Sequence, residues 1–143
     1  VSVYEWFELS PLPCGGPVRL EDGVEYQRVE YAGFETLEDL RTYLGSLFSE
    51  ELTSRLLAQG TPAPRYRDID GALYVRPDGR AADADKGAAS AAVEREGDGS
   101  YLINVTVDLL DGDQSTVTGA EFYAFPYREV GGRWVFTDFR LVY

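Results

Sequence analysis

Histidine is absent from this sequence. Its absence removes the commonest general base, the commonest metal ligand and the usual switch of charge near neutral pH. Cysteine occurs once, at Cys14. One thiol excludes an intramolecular disulfide, and without histidine no Cys–His nucleophilic pair can form. Cys14 stands in Pro13-Cys14-Gly15-Gly16, which reads as a loop carrying an incidental thiol. Methionine is missing too, even at position 1. The expectation is a chain cut from a longer one, and a removed secretory signal fits. No run approaches the roughly 18 apolar residues of a transmembrane helix. Basic residues are scarce: 13 against 25 acidic ones, a net charge of −12. A phosphate backbone needs a basic patch, so nucleic acid is not the expected partner, and neither is an anionic membrane surface. A partner selected by charge would be cationic. The simpler reading is that acids spread along the chain keep it soluble.

What is present is the material of a folded domain. The chain has 143 residues, of which 44% are apolar and 13% aromatic. That composition supports a core and a single domain over 1–143. Val3, Trp6 and Phe7 fall at helical spacing, and the piece reads as the tail of a helix truncated at its start. Pro11 and Pro13 end it. A Gly-rich loop follows, then a strand over 24–31.

Thr36 opens the clearest helix. Thr36 and Asp39 stand at capping-box spacing, and Leu37, Leu40, Tyr43, Leu44 and Leu47 form one stripe. Ser49 starts a second helix with Leu52, Leu56 and Leu57 inward, and Gly60 stops it. Strands on either side of Asp70-Gly71 read as a hairpin. Residues 76–92 read as loop. Three strands then form a meander: one alternating from Tyr101 to Leu109, one over 117–127, and one over 133–143. Helices followed by an antiparallel meander predict an α+β fold. Short helices on a bent antiparallel sheet, a cystatin-like or nuclear-transport-factor-like arrangement, satisfy that order.

No catalytic centre emerges from the residues. Asp83-Ala84-Asp85-Lys86-Gly87 with Glu94 follows part of a calcium loop, but the sixth place is Ala88 where the sharp turn needs glycine. Asp111-Gly112-Asp113 fails at its twelfth place, Phe122. Both read as acidic surface turns, and no metal is expected. Asn104-Val105-Thr106 matches a glycosylation sequon within a strand. Tyr66, Asp68, Asp70, Tyr74, Asp138 and Tyr143 are the chemical types that could line an acid–base pocket. Nothing in their spacing pairs them. Tyr4, Trp6 and Phe7 fit core by their helical spacing, with an interface as the alternative. The motif of a nucleophile elbow, a phosphate-binding loop or a dinucleotide fingerprint is not found.

Three stretches carry a resemblance. They are Phe34-Glu35-Thr36-Leu37-Glu38-Asp39-Leu40 with Tyr43-Leu44 and Leu47-Phe48-Ser49-Glu50-Glu51-Leu52; then Tyr66-Arg67-Asp68-Ile69-Asp70-Gly71-Ala72-Leu73-Tyr74; and finally Arg133-Trp134-Val135-Phe136-Thr137-Asp138-Phe139. Over roughly 24–143, by order and pattern, the chain resembles the IseA-type inhibitors of bacterial DL-endopeptidases, small secreted domains of Gram-positive bacteria. The resemblance implies a non-enzymatic, monomeric binding protein, extracellular or associated with the cell wall and needing no cofactor. Its implied partner is an NlpC-type cysteine peptidase of the wall, whose cleft it would occupy to restrain autolysis. No single inhibitory residue carries over by motif. The expected contacts are therefore the chain's own acidic turns: Asp68 and Asp70, Asp83 and Asp85, Asp111 and Asp113. Two other expectations stand beside this one, a small-molecule-binding or isomerase-like pocket protein of the same fold and a structural module of a cell-surface protein.

Overall fold

A computed structural model describes all residues from Val1 to Tyr143. The fold is α+β, with three short helices and two four-stranded antiparallel sheets, one of them curled as a half-barrel. No helix is long and apolar enough to cross a membrane. The chain forms two compact units. The first holds Val1–Ser46 and Glu50–Ala81, and the second Leu47–Ser49 and Ala82–Tyr143.

The first unit contains helix α1 (Ser2–Glu8), strands β1 (Cys14–Glu21) and β2 (Val24–Val29), helices α2 (Leu37–Gly45) and α3 (Glu50–Ala58), and strands β3 (Tyr66–Ile69) and β4 (Ala72–Val75). Its sheet runs β1-β2-β4-β3. Two tight hairpins build it. Asp22-Gly23 joins β1 to β2 and Asp70-Gly71 joins β3 to β4, and all four residues have positive φ. A two-residue turn of this kind matches the twist of the flanking strands, and aspartate followed by glycine adopts it at little steric cost. The Gly-rich stretch expected to be loop is thus strand β1. Its irregularity is absorbed as a bulge between Gly15 and Arg19.

Helix α2 begins as its sequence dictates. The Thr36 hydroxyl accepts from the Asp39 amide, and the Asp39 carboxylate accepts from the Thr36 amide. Leu40 and Leu44 are fully buried from α2, as are Leu52 and Leu56 from α3. Tyr26, Tyr66, Leu73 and Val75 from the sheet and Leu12 from the loop after α1 are buried in the same unit. Apolar burial at about 25 cal/mol per Å² is what holds such an interior together. Gly60, with φ +83°, follows α3 and turns the chain away.

The second unit is a meander: β5 (Lys86–Arg95), β6 (Tyr101–Leu110), β7 (Val117–Val130) and β8 (Arg133–Phe136), paired in chain order. The expected C-terminal meander is present, with one strand more than the sequence reading found. Residues 86–95, expected in part as loop, form β5. The expected last strand stops at Phe136, and 137–143 have no regular structure. Aromatic stacking explains that change of state. Phe139 lies 4.5 Å from Phe125, ring to ring, and also contacts Phe136 and Phe48. A strand would alternate its side chains, whereas this segment folds Phe139 and Val142 inward across the sheet. Leu47–Ser49 lies along β8, with a parallel bridge between Phe48 and Phe136.

Candidate functional site

The ladder between β5 and β6 determines where four of the six acidic turn residues lie. Lys86 pairs with Leu109, and the Leu110 amide donates to the Asp85 carbonyl at 2.8 Å. Asp83 and Asp85, which lead into β5, therefore meet the end of the sheet where β6 turns into β7 through Asp111, Gly112 and Asp113. Each of the two turns is organised by its own first acid. The Asp83 carboxylate accepts from the Asp85 amide, 3.0 Å. The Asp111 carboxylate accepts from the Ser115 and Thr116 amides at 3.0 and 3.2 Å. Those two backbone donors favour the anion and hold the Asp111 carboxyl below its usual range.

The lysine that follows Asp85 is already engaged. Lys86 Nζ pairs with the Glu121 carboxylate and donates to the Tyr123 hydroxyl at 3.3 Å. The hydrogen bond to Glu121 raises the lysine and, reciprocally, lowers the carboxyl. The Tyr123 hydroxyl donates to the same carboxylate, and the Arg140 guanidinium lies 4.7 Å from its ring centroid. This end of the sheet consequently presents negative charge in excess.

Asp68 and Asp70 lie in the first unit and serve it internally. Asp68 accepts from the Leu37 amide at 2.7 Å, capping the first turn of α2. Asp70 pairs with Arg19 at 2.9 Å. Tyr74 lies beneath that same arginine, 5.9 Å from its guanidinium carbon. Tyr66, a further acid–base candidate, is 1% exposed. Its hydroxyl donates to the Trp6 carbonyl and accepts from the Leu12 amide, both at 2.9 Å, and so fastens α1 to the sheet. Burial pushes its phenol up to about 12. With these partners, Tyr66, Asp68, Asp70 and Tyr74 do not form a proton-transfer pair among themselves. Asp138 and Tyr143 belong to the second unit.

Cys14 sits on β1 rather than in a loop, half-buried, with Sγ 3.9 Å from Gln27 Oε1. Burial, and then the Glu30 charge, push its thiol up. A thiol held protonated is a poor nucleophile. No group of three or more histidine, cysteine or acidic side chains is placed to hold a metal ion.

The sequence reading missed a groove of about 800 Å³ in the first unit. Trp6, Tyr31, Phe34 and Tyr43 line it as one cluster. Trp6 stacks on Tyr43 at 5.9 Å and meets Phe34 edge-on at 5.7 Å, while Tyr31 stacks on Phe34 at 5.6 Å. Tyr31 is 47% exposed and Tyr43 40%. On α1 the aromatic trio divides: Tyr4 and Phe7 are core, and Trp6, on the adjoining face, opens to the groove. Tyr43, counted with the apolar stripe of α2, proves to be that stripe's outer edge.

No protein-family model matches the chain, and no curated protein matches it either.

Proposed function

We propose that this chain is a non-enzymatic binding protein that acts through its acidic surface on a more basic protein. The leading target class is a bacterial cell-wall DL-endopeptidase of the NlpC type, inhibited in its cleft outside the cell. The observation that carries the binding reading is the gathering of Asp83, Asp85, Asp111 and Asp113 at one end of the second sheet, beside a lysine already paired with Glu121. Such a surface suits electrostatic steering and orientation of a cationic partner. The target class rests on the sequence resemblance over roughly 24–143. A catalytic alternative in the first unit is disfavoured by the interior itself, which is filled by Leu12, Leu40, Leu44, Leu52, Leu73 and Val75. Tyr66, its buried phenol, is already bonded at both ends.

The test is inhibition of a purified NlpC-type DL-endopeptidase acting on peptidoglycan, with the intact chain as inhibitor. Dose-dependent inhibition is the expected result. Exposed ion pairs contribute about 0.2–1 kcal/mol each, so reversing Asp83 and Asp85 to Lys should weaken binding about tenfold. The same double variant should flatten the salt dependence of binding across roughly 50 to 500 mM, a range over which screening changes substantially. Absence of inhibition and binding across an organism's whole set of such enzymes would overturn the target class. An affinity unmoved by salt and by charge reversal would overturn the role of the acidic end.

A further inference from the structure

The aromatic groove of the first unit has a chemistry of its own, separate from the acidic end of the second sheet. Its Trp and Tyr faces offer the negative quadrupole that attracts cations, tryptophan most strongly. The charge on its lining is of one sign. Asp39 is the charged residue that lines it, and no lysine or arginine does. The arginines of the surrounding elements are directed into ion pairs elsewhere, Arg28 with Glu35 and Arg41 with Glu50.

Asp39 is held as an anion by the start of α2. Its Oδ2 accepts from the Glu35 amide, the Thr36 amide and the Thr36 hydroxyl, between 2.8 and 3.0 Å. These bonds, with the Thr36 amide the largest contributor, lower the carboxyl below its usual range. All three fall on one oxygen, which leaves Oδ1 outside this set of bonds. An anionic ligand would meet Asp39 and the ring faces with repulsion. A neutral apolar ligand would gain nothing from the carboxylate. A volume of about 800 Å³ is ample for a small organic group.

We infer that the groove between α1, the 31–34 loop and α2 binds an organic cation, a guanidinium or alkylammonium group, against the exposed rings of Tyr31 and Tyr43 and the half-buried Trp6 that lines the groove with them, and beside Asp39. The same chemistry is presented by a free small molecule and by an arginine or lysine side chain of a peptide, and the two sources are separated by the probes.

The experiment uses the full chain carrying Trp134→Phe, which leaves Trp6 as the one tryptophan. Its fluorescence is titrated with tetramethylammonium, with N-acetylarginine amide and with an Arg-containing pentapeptide. The neutral counterparts are tert-butanol, N-acetylcitrulline amide and the citrulline pentapeptide. The expected result is a saturable change with the cations and at least about tenfold weaker response to the neutral isosteres, the span of a partly desolvated cation–π contact. Tightest binding by the pentapeptide would identify a peptide side chain as the source, and equal binding by the free cations a small molecule. Tyr43→Leu and Tyr31→Leu keep apolar bulk at exposed positions and should each weaken the cation response. Thr42→Lys, at an exposed position lining the groove, should abolish it while the far-ultraviolet circular dichroism stays unchanged. Equal response to charged and neutral isosteres would overturn the inference, as would no response from any probe. A cation response that survives Thr42→Lys would do the same.

Discussion

Tyr66→Phe removes one oxygen from the centre of the first unit, and its effect can be worked out from the structure. The hydroxyl joins two backbone groups, the Leu12 amide and the Trp6 carbonyl, each at 2.9 Å. Leu12 is 1% exposed, so its N–H would lose its partner with little water at hand. A buried donor left unsatisfied costs about 1–3 kcal/mol. For a unit of about 80 residues, 1 kcal/mol corresponds to about 4–8 °C in Tm. The variant should therefore melt about 8–16 °C lower if the cost lies mid-range. Trp6 fluorescence, read in the Trp134→Phe background, follows this unit.

The pH dependence provides a second, sharper check on the same residue. The phenol ionises near its ordinary 10.0 in the unfolded chain and at about 12 in the folded one, because burial disfavours the phenolate. Between these values the unfolded state holds fewer protons, so stability falls as pH rises. The contribution is complete below pH 10 and is lost as pH rises through about 12. At about 1.4 kcal/mol per pH unit it amounts to about 2–3 kcal/mol. The gap between wild type and Tyr66→Phe should therefore narrow steadily above pH 10 in denaturant titrations. A Tm change below about 2 °C at neutral pH, together with a gap constant to pH 12, would refute the assignment of Tyr66 as the bridge between α1 and the sheet.

Other expectations follow from single contacts. Thr36→Ala removes the side-chain half of the α2 capping box and should cost about 1 kcal/mol, seen as a lower urea midpoint with an unchanged m-value. Phe139→Ala deletes a buried ring stacked on Phe125 and should cost about 3–5 kcal/mol, read by Trp134 fluorescence in a Trp6→Phe background. The Asp111 carboxyl titrates below its usual range in the folded state, so its support for the 111–116 turn is present above about pH 4 and lost as pH falls through the lowered value. Amide exchange at Ser115 and Thr116 should accelerate on acidification relative to the intrinsic rate, and should be fast at all pH values in Asp111→Ala.

How much of this fold could be read beforehand depended on whether a signal was local. The capping box of α2 involves residues three apart, and the Asp70-Gly71 hairpin involves two, and both were legible. Asp22-Gly23 carries the same turn signal. It went unread because Gly15, Gly16 and Pro17 upstream weaken the strand it serves. The division into two four-stranded sheets was not legible at all. It depends on β2 choosing β4 as its neighbour, a pairing of Gln27 with Val75 across 48 residues, for which neither strand carries a distinguishing mark. The last strand failed for a different reason. Its alternation of Val135, Phe139 and Leu141 fits a strand, but stacking of Phe139 on Phe125 outweighs a pattern with no partner strand left to pair with.

Strand β5 shows why the acidic end was visible only as scattered acids. Gly87-Ala88-Ala89-Ser90-Ala91-Ala92 lacks β-branched and aromatic residues, and alanine and glycine are depleted in strands. Its own preference is therefore for loop. What makes it a strand is β6, a ten-residue alternating segment that supplies a straight template, with Ala89 opposite Val107 and Val93 opposite Ile103. Small side chains let it lie on that template without needing a core of its own, and none of its residues is buried. The adjacency of Asp83 and Asp85 to Asp111 and Asp113 exists because of that templating. A variant that broke the ladder, such as Ala91→Pro in β5, would separate the two acidic pairs while leaving the charge of the chain unchanged. If the acidic end acts as one surface, such a variant should lose partner binding as severely as the charge reversals do. If each pair acts alone, binding should fall by less than it does in the Asp83 and Asp85 double reversal.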